Sequence, residues 1–143
     1  MAELVREIMI DATPETIWPF LTDPGRHVEW DGTVADLDPR PGGIYRVLVA
    51  GQHPSAGEFV EVVPMEKVVF TFGWDLPDHP IPAGSTTVEI TLMAEGDKTR
   101  VRLVHSGLPE DAVDDHTVGW DHYLGRLAVR AAGGDPGPDV PLG

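Results

Sequence analysis

The stretch "DAVDDHTVGWDHYLGRLAVRAA" at residues 111–132 decides how this chain folds. Trp120, Tyr123, Leu124 and Leu127 recur in it at intervals of three or four residues, which is typical of one face of an amphipathic helix. Acidic residues stand at its start, where negative charge favours the helix dipole. A helix with large rings on its apolar face needs a broad apolar surface to lie against.

The middle of the chain supplies that surface as short strands separated by turns. Alternation of apolar and polar residues predicts a first strand at 3–11, ahead of this region. Turn residues then divide the middle of the chain into five further strand-like stretches, 44–50, 57–63, 66–74, 85–95 and 97–106. The segment 75–84 is rich in proline and glycine, so we expect a loop there. These stretches predict an antiparallel meander.

Two short helices are expected between the first strand and the meander. Pro14 suits a first helical position, and Ile17, Phe20 and Leu21 form an apolar stripe behind it. A second short helix or irregular segment ends near Trp30. Since helices are kept apart from a run of antiparallel strands, the order of elements predicts an α+β fold.

The two-residue period of a strand sorts the side chains by face. The residues predicted to share the inner face are Tyr45, Val47, Val49, Val68, Phe70, Phe72, Trp74, Val88, Ile90, Leu92, Val101, Leu103 and His105. Rings on the sheet thus face rings on the last helix. Two interpretations are open at this point: an aromatic core packed to ordinary density, or a cleft that holds an apolar ligand.

Composition excludes several classes of partner. The 143 residues suggest one domain, and 24 acidic against 10 basic residues give a formal net charge of -14. That charge opposes binding to nucleic acid or to an anionic membrane. The chain has no cysteine, no signal-peptide pattern at its start and no apolar run long enough to cross a bilayer, so we expect a cytoplasmic protein.

Histidine is the residue type most able to carry chemistry here. The six histidines show no metal-ligand spacing, so we expect no metal and no cofactor. His105 ends an inward strand face, and His116 lies one turn before Trp120 on the helix. Either imidazole could orient a ligand or act as a general base. The alternative is that each forms structural hydrogen bonds only.

Several stretches together resemble the START-like, or SRPBCC, superfamily. They are "IDATPETIWPFLTDP", "RPGGIYRV", "GEFVEVVPMEKVVFTFGW", "STTVEITL" and "TRVRLVHSGLP" followed by "HTVGWDHYLGRL". Their order is most similar to the branch that resembles the C-terminal domain of the activator of heat-shock protein 90 ATPase. The resemblance covers residues 3–132. It implies a helix-grip fold like that of the birch-pollen allergen, in which a curved antiparallel sheet wraps around a long last helix. We therefore expect one such domain at 1–132, and a disordered Pro- and Gly-rich tail at 133–143.

The resemblance also implies a cavity between sheet and helix that holds a hydrophobic or amphipathic molecule. The residues expected to line it are Trp30, Tyr45, Phe70, Phe72, Trp74, His105, His116, Trp120, Tyr123 and Leu124. Two other hypotheses are kept: an enzyme of cyclase, hydrolase or lyase type that uses a cavity histidine, and a chaperone-associated interaction module. The expected assembly is a monomer or a homodimer.

Overall fold

Seven antiparallel strands form a curved sheet in the computed structural model, which describes residues 2–139. Their order across the sheet is β1-β7-β6-β5-β4-β3-β2. The strands are β1 (Ala2–Ile10), β2 (Val34–Leu37), β3 (Ile44–Val49), β4 (His53–Val63), β5 (Lys67–Phe72), β6 (Thr86–Glu95) and β7 (Lys98–Leu108). The helices are α1 (Pro14–Thr22), α2 (Pro24–His27) and α3 (Val113–Ala131), with one 3-10 turn, Glu110–Ala112, ahead of α3. The predicted α+β helix-grip architecture is confirmed.

The sheet bends along β4. The first half of this strand pairs with β3 and the second half with β5, and the register shifts between Phe59 and Glu61. A β-bulge of this kind bends a strand and increases its twist. Gly57 lies just before the bend, where a Cβ atom would come within 1.9 Å of the Thr71 carbonyl oxygen. The close approach of the two backbones therefore requires glycine at this position.

The predicted division of side chains between the two faces is correct. Phe70 and Phe72 on β5, Ile90 on β6, and Val101 and Leu103 on β7 are all buried on the inner face. Helix α3 covers that face with a buried stripe, whose members are Trp120, Tyr123, Leu124, Arg126, Leu127 and Ala131. The apolar pattern that indicated the last helix thus also identifies the side it turns to the sheet.

Two strands differ from the sequence-based expectation. The four-residue strand β2 was not predicted, and β4 begins at His53 rather than at residue 57. Within residues 133–139, which belong to the predicted tail, the carbonyls of Pro136 and Gly137 accept hydrogen bonds from Arg126. A buried guanidinium needs acceptors, and this segment provides them. Residues 140–143 of the predicted tail lie outside the described residues.

A chain of hydrogen bonds fastens α3 to the sheet. Trp120 Nε1–H donates to His105 Nδ1 at 3.0 Å. Because Nδ1 accepts, the imidazole proton is on Nε2, which donates to Thr86 Oγ1 at 2.8 Å. The Thr86 hydroxyl in turn donates to the Phe72 carbonyl oxygen at 2.6 Å. These three hydrogen bonds therefore connect α3 to β7, β6 and β5.

This arrangement keeps His105 neutral. Its side chain is fully buried, and burial, with a smaller contribution from nearby His116, lowers the pKa of His105 to about 3. In the unfolded chain the pKa of histidine is about 6.5. Between these two pH values the unfolded chain binds a proton that the folded chain does not, so stability falls as the pH falls from about 6.5 towards 3.

The substitution His105→Gln tests this linkage. Between pH 7 and pH 5, the free energy of unfolding of the unsubstituted protein should decrease by about 2 kcal/mol more than that of the variant. Urea denaturation at both pH values measures the difference, and any loss of stability at pH 7 is common to both measurements of the variant. Equal pH dependence of the two proteins would show that His105 binds its proton in the folded state as well.

Candidate functional site

A cleft of about 670 Å³ opens between α3 and one end of the sheet. Its walls come from α3, the end of β5, the turn that joins β3 to β4, and the loop before β6. The lining residues are Asp31, Val49, Ala50, Gln52, His53, Phe72, Trp74, Leu76, His79, Asp115, His116, Gly119, Trp120 and Tyr123. Gln52, His53, Leu76 and Asp115 are exposed, and they mark the mouth.

Aromatic rings form the inner wall of the cleft. Phe72 lies at the centre, with its ring centroid 5.3 Å from that of Trp74 and 6.2 Å from that of Trp120. The Phe72 and Trp74 rings meet edge to face, an arrangement that aromatic quadrupoles favour. This wall is fixed by packing, and it presents mainly carbon atoms to the cleft.

Gly119 leaves room between the rings of α3. It stands three residues after His116 and four before Tyr123, so it shares their face of the helix. A Cβ atom at this position would have no neighbour within 4 Å. The cleft is open along α3 because this position of the apolar stripe has no side chain.

Both nitrogens of His116 have partners inside the protein. The Nδ1 atom lies 2.8 Å from the Ala112 carbonyl oxygen, to which it donates. The Nε2 atom accepts from Trp74 Nε1–H at 3.3 Å. His105 is engaged in the same way, by Trp120 and Thr86. Neither imidazole is therefore poised to exchange a proton with a molecule in the cleft.

Three hydrogen-bond donors at the edge of the cleft bind the carboxylate of Asp139. Tyr123 O–H donates to Asp139 Oδ1 at 2.8 Å. The backbone N–H groups of Gly32 and Ala50 donate to Asp139 Oδ2 at 2.8 and 2.9 Å. We call these three donors the anion cradle. Burial and the Asp139 carboxylate together raise the pKa of Tyr123 far above its usual range, so its hydroxyl stays a donor.

Asp31 is a second polar group of the cleft, and it is almost fully buried, with 4% of its surface exposed. Its Oδ2 atom lies 3.4 Å from His27 Nε2, and its Oδ1 atom has no hydrogen-bond partner among the described residues. An unpaired buried acceptor is costly.

The structure brings together half of the residues predicted for the site. Phe72, Trp74, His116, Trp120 and Tyr123 line the cleft. His105 lies directly behind Trp120 and contacts it through the hydrogen bond described above.

The other four predicted residues belong to the core, not to the cleft. Tyr45 and Phe70 stack with ring centroids 4.1 Å apart, and Leu124 is buried under α3. Trp30 is also buried, and its indole N–H donates to the Phe20 carbonyl at 2.7 Å. Core and cleft lie on the same face of the sheet, so the period of the strands could not separate them.

Sequence reasoning missed the residues that reach the cleft from loops. Asp31, Ala50 and Leu76 lie outside regular elements, where no periodicity places a side chain. His53 and His79 were not among the residues predicted for the site, and both line the cleft. Gly119 alone carried a usable signal, because a glycine on the apolar stripe of a helix leaves a gap.

Among residues 2–139, no set of three or more His, Asp or Glu side chains is placed to hold a metal ion. Over the same residues, no helix has both the length and the apolar character to span a membrane.

Solved structures share this fold over nearly the whole chain. An AHSA1-like protein from Rhizobium etli is 44% identical, with a TM-score of 0.76 and coverage of 99% of this chain and 89% of that one. Protein CV1439 from Chromobacterium violaceum is 25% identical, with a TM-score of 0.78 and coverage of 91% and 96%. The Aha1 dimer from Colwellia psychrerythraea is 21% identical, with a TM-score of 0.80 and coverage of 94% and 98%, and shows the likeness of fold.

Comparison with curated proteins finds no match. The family described as "Activator of Hsp90 ATPase homolog 1-like protein" matches residues 11–132, which include both short helices, strands β2 to β7 and α3. The helix-grip fold, the relative from Rhizobium etli and this match agree. The chain belongs to the activator of Hsp90 ATPase homolog 1-like family.

Proposed function

We propose that this protein binds a small hydrophobic or amphipathic molecule in the cleft between α3 and the sheet. The observation that carries the proposal is a cleft of about 670 Å³ with Phe72, Trp74 and Trp120 in its wall. Sites for small molecules typically measure about 300–1,000 Å³ and have mostly apolar linings with a few polar groups. Burial of apolar surface stabilises such a complex by roughly 25 cal/mol per Å².

The polar groups of the cleft favour binding over acid–base catalysis. The indole N–H groups of Trp74 and Trp120 are engaged by His116 and His105, so they are not available to a ligand. The same bonds occupy the imidazole nitrogens that a general base would need.

The hypothesis of a chaperone-associated module gains no support from the geometry. It predicts a filled core and an apolar patch on the outer face of the sheet. Instead a cleft lies beside the core, and Arg100 forms ion pairs with Glu7 and Glu95 on the outer face. Exposed apolar side chains such as Val5 and Met9 lie among these charges.

The cytoplasmic location and the choice between monomer and homodimer stay predictions.

Filling the cleft from α3 tests the proposal. The variant Gly119→Phe places a ring where a Cβ has no neighbour within 4 Å. It should raise the dissociation constant of N-phenyl-1-naphthylamine, a neutral fluorescent apolar probe, by at least about tenfold, which corresponds to about 1.4 kcal/mol of binding free energy. Fluorescence titration measures it.

Gly125→Phe is the matched control. Gly125 lies on the same helix, is exposed, and likewise has no neighbour near its Cβ position. Both variants should be as stable as the unsubstituted protein or more stable by a few tenths of a kcal/mol, because glycine disfavours a helix. Equal probe affinity in the two variants would contradict binding in the cleft.

A natural ligand should be detectable directly. Native mass spectrometry of freshly purified protein is expected to show a fraction with the added mass of a small molecule. That fraction should be lost in Gly119→Phe and kept in Gly125→Phe. An adduct that persists in Gly119→Phe would place the bound compound outside the cleft.

A further inference from the structure

The anion cradle is built by the body of the protein and does not depend on the segment after α3. Gly32 has a φ of +83°, and a Cβ atom there would come within 2.4 Å of Val47 Cγ1, so only glycine fits. The next residue is fixed to the sheet, because Thr33 N–H donates to the Leu48 carbonyl at 2.9 Å. The first N–H of the cradle is therefore held in place by β3.

The second N–H of the cradle is held in a conformation that its residue disfavours. Ala50 has a φ of +53°, a left-handed conformation that a residue with a Cβ atom rarely adopts. It lies in a tight turn that the hydrogen bond from Gln52 N–H to the Val49 carbonyl closes at 3.0 Å. Unfavourable backbone conformations of this kind cluster at binding sites.

Asp139 reaches the cradle on a segment that is held by polar contacts. The Arg126 guanidinium donates to the carbonyls of Pro136, Gly137 and Pro138, at 3.2, 2.9 and 3.4 Å. These bonds hold backbone, not the Asp139 carboxylate. Residues 133–139 contribute nothing to the lining of the cleft, whereas Ala50 and Tyr123 belong to both the lining and the cradle. The cradle therefore borders the cleft through these two shared residues.

We propose that the cradle is the anion subsite of the cleft, that its ligand is an aromatic or other apolar compound with a carboxylate group, and that Asp139 occupies the subsite when this ligand is absent. This inference rests on the proposed function and specifies its ligand class. Three donors, one of them a side-chain hydroxyl, match the two oxygens of a carboxylate. The apolar body of the ligand then lies against Phe72 and Trp120.

Exchange of one carboxylate for another overcomes the main electrostatic objection. A net charge of -14 and the nearby Asp31 oppose the entry of an anion. The Asp139 carboxylate in the cradle is already subject to the same repulsion from the net negative charge and from Asp31. When a ligand carboxylate takes its place, Asp139 moves into water and the charge within the cradle is unchanged. The carboxylate of the ligand therefore competes with the carboxylate of Asp139, which is covalently attached to the protein.

Removal of the tethered carboxylate is the test. The probes are 2-naphthoate and its neutral counterpart 2-naphthylmethanol, whose affinities are measured by isothermal titration calorimetry. Asp139→Ala should bind 2-naphthoate about tenfold more tightly than the unsubstituted protein, as expected if Asp139 fills the cradle roughly nine-tenths of the time. Its affinity for 2-naphthylmethanol should not change. Asp36→Ala, which removes one exposed carboxylate from β2, should bind both probes as the unsubstituted protein does.

Nuclear magnetic resonance gives a readout that needs no ligand in the cleft. In Asp139→Ala, addition of acetate should shift the amide resonances of Gly32 and Ala50, and in the unsubstituted protein it should not. The change Tyr123→Phe in the Asp139→Ala background should weaken 2-naphthoate binding several-fold and leave 2-naphthylmethanol unaffected.

The outcomes separate the two proposals. Binding of 2-naphthylmethanol without any gain for 2-naphthoate in Asp139→Ala keeps the proposed function and overturns the anion subsite. If neither naphthalene probe binds to any variant, the proposed function fails. The acetate titration then decides the cradle alone: shifts of Gly32 and Ala50 support it, and unmoved resonances overturn it.

Discussion

The hydrogen-bond chain from Trp120 through His105 and Thr86 to the Phe72 carbonyl is the constraint on which the site depends. Apolar packing alone does not fix where a helix lies on a sheet, because it is non-directional. Hydrogen bonds add direction, and inside the protein each unpaired member would be costly. These hydrogen bonds therefore set the position of the Trp120 ring relative to Phe72. That position in turn determines the width of the cleft.

Most of the fold could be predicted because its elements follow simple periods. The stripe of α3 and the alternation in β5, β6 and β7 each bury one face, and burial is what periodicity reports. Strand β2 could not be predicted because it has only four residues, and only one of them, Leu37, is buried. The contacts of segment 133–139 could not be predicted for a different reason. Its composition is typical of disorder, and its Asp139 carboxylate accepts from the N–H of Gly32, which is 107 residues away in the sequence.

Half of the residues predicted for the candidate site line the cleft, and there is a physical reason why the rest do not. Regular elements contributed Phe72, Trp120 and Tyr123, which the sequence places on inward faces. Two of the three donors of the anion cradle came from loops, where a backbone conformation such as that of Ala50 decides where an N–H points. No side-chain pattern encodes this. Core and cleft residues also look alike in sequence, since Tyr45 and Phe70 differ from Phe72 only in how far along the sheet they lie.

The role of the histidines illustrates how the same residues can serve fold and function in different ways. His105 and His116 stand beside the cleft, where imidazoles are commonly catalytic, yet each accepts the indole N–H of a tryptophan of the cleft wall. The imidazole nitrogen that accepts from tryptophan has no free lone pair for a substrate. What the histidines supply is a fixed position for the two indoles, which line the cleft. In the proposed complex, recognition depends on shape, on apolar area and on the few polar groups of the cleft.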